Sequence, residues 1–119
     1  MSTNSFKDLV VWQKAHIETV AIYKNFNHIN DFSFRDQIQR ASVSVMNNIA
    51  EGYARRSDKA FINFLRIAKG SNTEVESMLI LAGSLNYISI DKQTKLLEDN
   101  AIVGKMLSSF INKLSAKDY

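Results

Sequence analysis

An all-α, antiparallel up-down-up-down four-helix bundle is the fold this sequence predicts, on three observations. Proline is absent and glycine occurs only 4 times in 119 residues, so little interrupts a helix. Four segments repeat apolar residues at three- and four-residue steps, each behind a helix-start signal, and nothing alternates usefully with period two. The segments, at about residues 6–26, 34–54, 58–86 and 91–115 of one domain, would each rise roughly 30 to 42 Å at about 1.5 Å per residue. Similar lengths and short connections favour antiparallel neighbours.

The first segment follows Ser5 with Asp8 three residues on, a variant of the capping box. Its expected core stripe is Leu9, Trp12, His16, Val20 and Tyr23, with His16 a hydrogen-bonded core histidine. Asparagines and His28 then fill a solvated turn. Ser33 and Asp36 repeat the capping pattern ahead of Ile38, Ala41, Val45, Ile49 and Gly52. Ser57 opens a third stripe of Phe61, Phe64, Leu65, Ala68, Val75, Leu79 and Ala82. Asp91 opens the fourth, carrying Leu96, Val103, Leu107, Phe110 and Leu114. Gly70 falls mid-helix at a cost of about 1 kcal/mol, which implies close approach of a neighbouring helix or a local kink.

Composition excludes much. With no cysteine there is no disulfide and no thiolate metal site. Neither histidine follows a glutamate by three positions, so the carboxylate-bridged di-iron arrangement of helix bundles fails. No nucleophile–base pair, zinc cluster or phosphate-cradling glycine loop can be assembled from the spacing. No catalytic residue, metal or cofactor is therefore assigned, and the chain reads as non-enzymatic. The start MSTNSFKDL lacks a secretory pattern, and the longest apolar run, Met78 to Ala82, is too short for a bilayer, so a cytoplasmic location is expected.

Charge placement is informative. Residues 1–54 carry five basic and five acidic residues, and residues 71–119 carry five and six. Residues 55–70 hold Arg55, Arg56, Lys59, Arg66 and Lys69 against Asp58 alone, so this window supplies the whole surplus behind the net +3. Lys59, Asn63 and Arg66 share a helix face with Lys69 at its edge, a stripe suited to phosphate backbones; the plain alternative is a solubilising face. Opposite the core stripe of the second helix run Arg40, Val43, Ser44, Asn47, Ala50, Glu51 and Ala54. Small side chains among hydrogen-bonding ones suit a helix contact, either between subunits or as a second flank of the same core.

The run Phe6-Lys7-Asp8-Leu9-Val10-Val11-Trp12-Gln13-Lys14-Ala15 resembles the opening signature of the 23S rRNA intervening sequence proteins, a four-helix bundle family found in bacteria. Gln37 to Val45, continuing Asn48-Ile49-Ala50-Glu51-Gly52, is similar to the family's central motif. So are Arg55, Ser57, Phe61, Phe64-Leu65, Ile67-Ala68, Gly70-Ser71 and Glu74, carrying the match to about Ile88. Met46 departs from a common proline, and Ala60 from a common acidic residue. The resemblance implies a ring-like homopentamer. Members of a related branch, the accessory variability proteins of diversity-generating retroelements, are basic pentamers that bind nucleic acid and work with a reverse transcriptase. Residues and resemblance together lead us to expect a homo-oligomer that binds RNA or DNA through backbone contacts, with no membrane role. The alternative is a protein-interaction scaffold that docks another protein and has no specific nucleic-acid role.

Overall fold

Capping side chains decide where three of the four long helices begin. In the computed structural model, which describes residues 5–116, Ser5 Oγ accepts from the Lys7 amide at 3.2 Å and starts a single 3-10 turn, Phe6–Asp8. Leu9 is extended, so helix α1 spans only Val10–Phe26. Helix α2 covers Phe32–Ala54, and its cap is Asp31 in place of the expected Ser33: Asp31 Oδ1 accepts from the Phe34 amide at 3.1 Å. Tyr87 Oη donates to Asp31 Oδ2 at 2.7 Å, tying the α1–α2 turn to the connection after α3. These bonds, the tyrosine's first, hold the Asp31 carboxyl below its ordinary range. Ser57 caps α3, Asp58–Ser84, and Ser89 caps α4, Ile90–Ser115. The end of α3 is closed by Asn86 at φ 61°, with the Tyr87 amide donating back to the Ala82 carbonyl at 2.9 Å.

The predicted bundle forms. Each helix packs on its two neighbours in chain order and α1 closes the ring against α4, while diagonal pairs do not meet among the described residues. The molecule measures 48 × 23 × 20 Å. The α2–α3 and α3–α4 seams are extensive; the α1–α4 seam is the most sparsely packed. Two apolar clusters fill the interior. One, towards the α2–α3 turn, includes Val45, Ile49, Leu65, Val103 and Leu107. The other, towards the α1–α2 turn, includes Ile22, Phe26, Ile38, Val75 and Leu79.

The core stripe of α1 differs from the expected one. Its buried residues are Val11, Ala15, Glu18, Thr19, Ile22 and Phe26, rotated from the Leu9–Trp12–His16–Val20–Tyr23 line. His16 is exposed and stacks on Trp12, with centroids 5.0 Å apart and planes 8° from parallel. It is a surface residue and not a core one. Val20, an apolar residue that the structure leaves exposed, misled the periodicity. Gly70 also differs: nothing lies within 4 Å of where its Cβ would stand, so no helix within this chain needs the space. The close approach occurs at Gly52, whose Cβ would come 2.5 Å from Phe64 Cβ, and at Gly83, whose Cβ would overlap Gln93. Met1–Asn4, part of the secretory argument, lie outside the described residues. Among those described, no helix is long and apolar enough to cross a membrane.

Candidate nucleic-acid interface

The bare backbone of Gly52 lets the end of α2 settle on Phe64 of α3, and that contact builds a tight corner. Arg55 caps the C-terminus of α2, where its charge suits the helix dipole. Its guanidinium lies 5.0 Å over the Phe64 ring and 3.3 Å from Glu51. Arg56 turns the corner at φ 60°, a left-handed conformation that glycine fills more readily. Ser57 Oγ then accepts from the Ala60 amide at 3.3 Å, so the cap stands without an acidic residue at position 60.

Beyond the corner, Lys59, Arg66 and Lys69 are exposed on the outer side of α3. Lys59 to Lys69 spans about 15 Å at about 1.5 Å per residue. All five predicted cations are thus exposed around one corner and the first half of one helix, and only Arg55 has an ion pair among the described residues. Lys59 stands in the first turn of α3, where the helix dipole disfavours a cation. Further along α3 the exposed charges change sign, to Glu74 and Glu76.

The expected contact face of α2 is not core: Arg40, Asn47, Glu51 and Ala54 are exposed, and Val43, Ser44 and Ala50 half-buried. Ser44 and Ser71 hydroxyls bond at 2.8 Å, so one edge of the face belongs to the α2–α3 seam. Arg40 lines an open polar groove on that seam with Gln37, Ser44, Ser71 and Glu74. At its other end the face runs into the basic corner through the Glu51–Arg55 pair. Met46 leaves α2 continuous from Phe32 to Ala54 and packs against the apolar cluster towards the α2–α3 turn.

A family model described as 23S rRNA-intervening sequence protein matches residues 7–109. The chain belongs to this family. The match reaches well into α4, beyond the motifs legible to about Ile88. A crystal structure of a protein of unknown function from the S23 ribosomal protein family of Bacteroides thetaiotaomicron VPI-5482 is similar: 32% identity over 86% of this chain and 98% of that one, with a TM-score of 0.80. No curated protein matches. Membership in the 23S rRNA-intervening sequence family accounts for the fold and leaves the activity open.

One constellation of this family member escaped the sequence reading. Between the apolar clusters lies a polar layer drawn from all four helices: Glu18 and Thr19, Ser42, Asn72 and Asn100, all buried. Asn100 Nδ2 donates to Glu18 Oε1 at 2.8 Å and to the Asn72 side-chain and main-chain oxygens at 3.1 and 3.0 Å. Asn72 Nδ2 returns a bond to the Asn100 carbonyl at 3.0 Å. Thr19 Oγ1 reaches the Ser42 carbonyl at 3.0 Å. Burial pushes the Glu18 carboxyl up to about 7, against the Asn100 hydrogen bond and with a smaller push from Asp99. The available signal was Glu18 in phase with Val11, Ala15 and Ile22. Among the described residues, no group of three or more His, Cys, Asp and Glu is arranged to hold a metal ion.

Proposed function

We propose that this protein is a non-catalytic homo-oligomer that binds the phosphate backbone of RNA or DNA through Arg55, Arg56, Lys59, Arg66 and Lys69. The observation that carries the reading is the exposure of all five around one corner, four of them with no ion pair among the described residues. A surface that reads phosphate backbones presents cations that are hydrated, unpaired and able to replace counterions. Helix stability does not explain the placement, because Lys59 opposes the dipole of α3 and Arg56 occupies a strained turn. Family membership, and the nucleic-acid role of the related accessory variability proteins, point the same way. In that branch the partner is a reverse transcriptase, which makes such an enzyme a candidate partner here.

Binding should tolerate sequence and weaken steeply with salt. Removing one phosphate contact to duplex DNA should flatten the log-log salt slope by about 0.9. The double variant Lys59→Glu, Arg66→Glu should bind less tightly and with a shallower slope, keeping its helix content and oligomer size. The same reversal at Lys95 and Lys105 on α4 is the control. Equal weakening by both pairs would show a diffuse field and no localised site. Absence of binding by the unaltered protein to duplex, hairpin or single strand at low salt would leave the scaffold reading. One observation favours that second reading: Val10, Ile17 and Ile102 expose about half their surface, Val10 and Ile17 on α1 and Ile102 on α4.

A further inference from the structure

The buried polar layer has an asymmetry. Asn72 and Asn100 bond reciprocally, side chain to main chain, and so fasten α3 to α4. Among the described residues, α1 joins α4 through one side-chain hydrogen bond only, Asn100 Nδ2 to Glu18 Oε1. Glu18 Oε2 is buried with no partner at all. Asn100 Nδ2 already serves three acceptors with two hydrogens, so it has nothing left to give the second oxygen.

No cation compensates the carboxyl. From α4 the nearby charge is Asp99, itself acidic and paired with Lys95 at 3.0 Å. From α3 the layer offers the neutral Asn72, and from α2 the neutral Ser42, whose carbonyl is taken by Thr19. On α1 itself, Lys14 is one turn away, exposed and without an ion pair. A charged carboxylate at 1% exposure under these conditions has one source of further donors, which is water.

The route for water is the same sparse seam. Open grooves lie along α1–α4 on either side of the Glu18–Asn100 bond. One is lined by Val10, Met106 and Phe110, the other by Ala21, Asn25 and Asp99.

We propose that Glu18 is a proton-operated latch on the α1–α4 seam: neutral, it keeps the seam closed, and ionised, it admits water and lets α1 move off the fastened α3–α4 pair. Both apolar clusters hold α1 residues, Val11 and Ala15 in one and Ile22 and Phe26 in the other, so the movement loosens their α1 edge and leaves their α2–α3–α4 part packed. The upward push on Glu18 places the change near neutral pH. The latch stands independently of whether nucleic acid binds.

Ile17 and Ile102 are exposed on α1 and α4, and the chain has no cysteine, so Ile17→Cys and Ile102→Cys accept spin labels cleanly. Labelled chains diluted in excess unlabelled protein report distances within one chain by pulsed electron resonance. The distribution should be narrow at pH 5.5 and broad at pH 8.5. With Glu18→Gln added, which mimics the neutral carboxyl, it should stay narrow at both. Equal broadening with and without Glu18→Gln, or none in either, overturns the latch. A carbon-13 titration of the Glu18 carboxyl in the unaltered protein serves as a second measurement. A midpoint near 7 is the expected result; one near the ordinary 4.5 overturns the proposal even if Glu18→Gln fails to fold.

Discussion

Arg56 adopts φ 60°, where an L-residue costs roughly 1 to 2 kcal/mol that glycine does not. Arg56→Gly should therefore raise stability, by about 0.5 to 1 kcal/mol once glycine's greater freedom in the unfolded chain is subtracted. It should also weaken nucleic-acid binding. Denaturant midpoints and a salt titration on the same variant test both; a gain in stability with unchanged affinity would remove Arg56 from the interface. Glu18 gives the other residue-scale expectation. Its folded carboxyl titrates at about 7 against 4.5 ordinarily, so the folded state holds the extra proton between those values. Stability is then full below pH 4.5, falls as pH rises, and is lower by about 3 kcal/mol above 7. Unfolding midpoints across that window should decline in the unaltered protein and flatten in Glu18→Gln. Asp31 acts in the opposite sense: its depressed carboxyl contributes stability that is lost as pH falls through its folded value.

The helices themselves separate two kinds of glycine. Gly70 is exposed inside α3 with nothing within 4 Å of its missing Cβ, so Gly70→Ala should stabilise the chain by about 1 kcal/mol through helix propensity. Gly52 is buried in α2, and an alanine there would press its methyl into the Phe64 stem and the Phe61 ring. Gly52→Ala should cost about 1 to 3 kcal/mol and shift the basic corner, since the same contact sets Arg55 over Phe64. Chemical denaturation of the two variants should give changes of opposite sign. Destabilisation at Gly70 accompanied by a smaller particle would instead reveal that a second copy fills the space.

At the scale of the molecule, several large apolar side chains are left outside. Ile67, Ile80, Leu81 and Leu85 of α3 and the connection after it are exposed, and Ile90 at the start of α4 is 79% exposed. Exposed apolar side chains in such number fit an assembly that covers some of them. A homopentamer, as the family resemblance implies, should appear by light scattering coupled to size exclusion at about five times 13.5 kDa. A particle of a single chain's mass at micromolar concentration would rule the assembly out. Five copies would carry about +15 together from +3 each, a field that would steer polyanions.

The sequence alone determined the fold class, the capping serine at 57 and the core faces of α2, α3 and α4, while it opened α4 at Asp91, just inside the helix that Ser89 caps. It could do so because three- and four-residue periodicity and short polar caps are local properties of the chain. It also located the cationic window, since a charge surplus is visible without coordinates. It missed the face of α1, where Ile17 and Val20 lie outside and Glu18 and Thr19 inside, because a local pattern cannot say which neighbour will satisfy a polar group. Gly70 and Gly52 show the same limit: whether the space beside a glycine is filled, as at Gly52, or open, as at Gly70, is decided by the packing of another helix. The polar layer needed the tertiary structure most. Glu18 and Asn100 are 82 positions apart, and only packing two distant helices together places one carboxyl oxygen on an amide and leaves the other with nothing to bond.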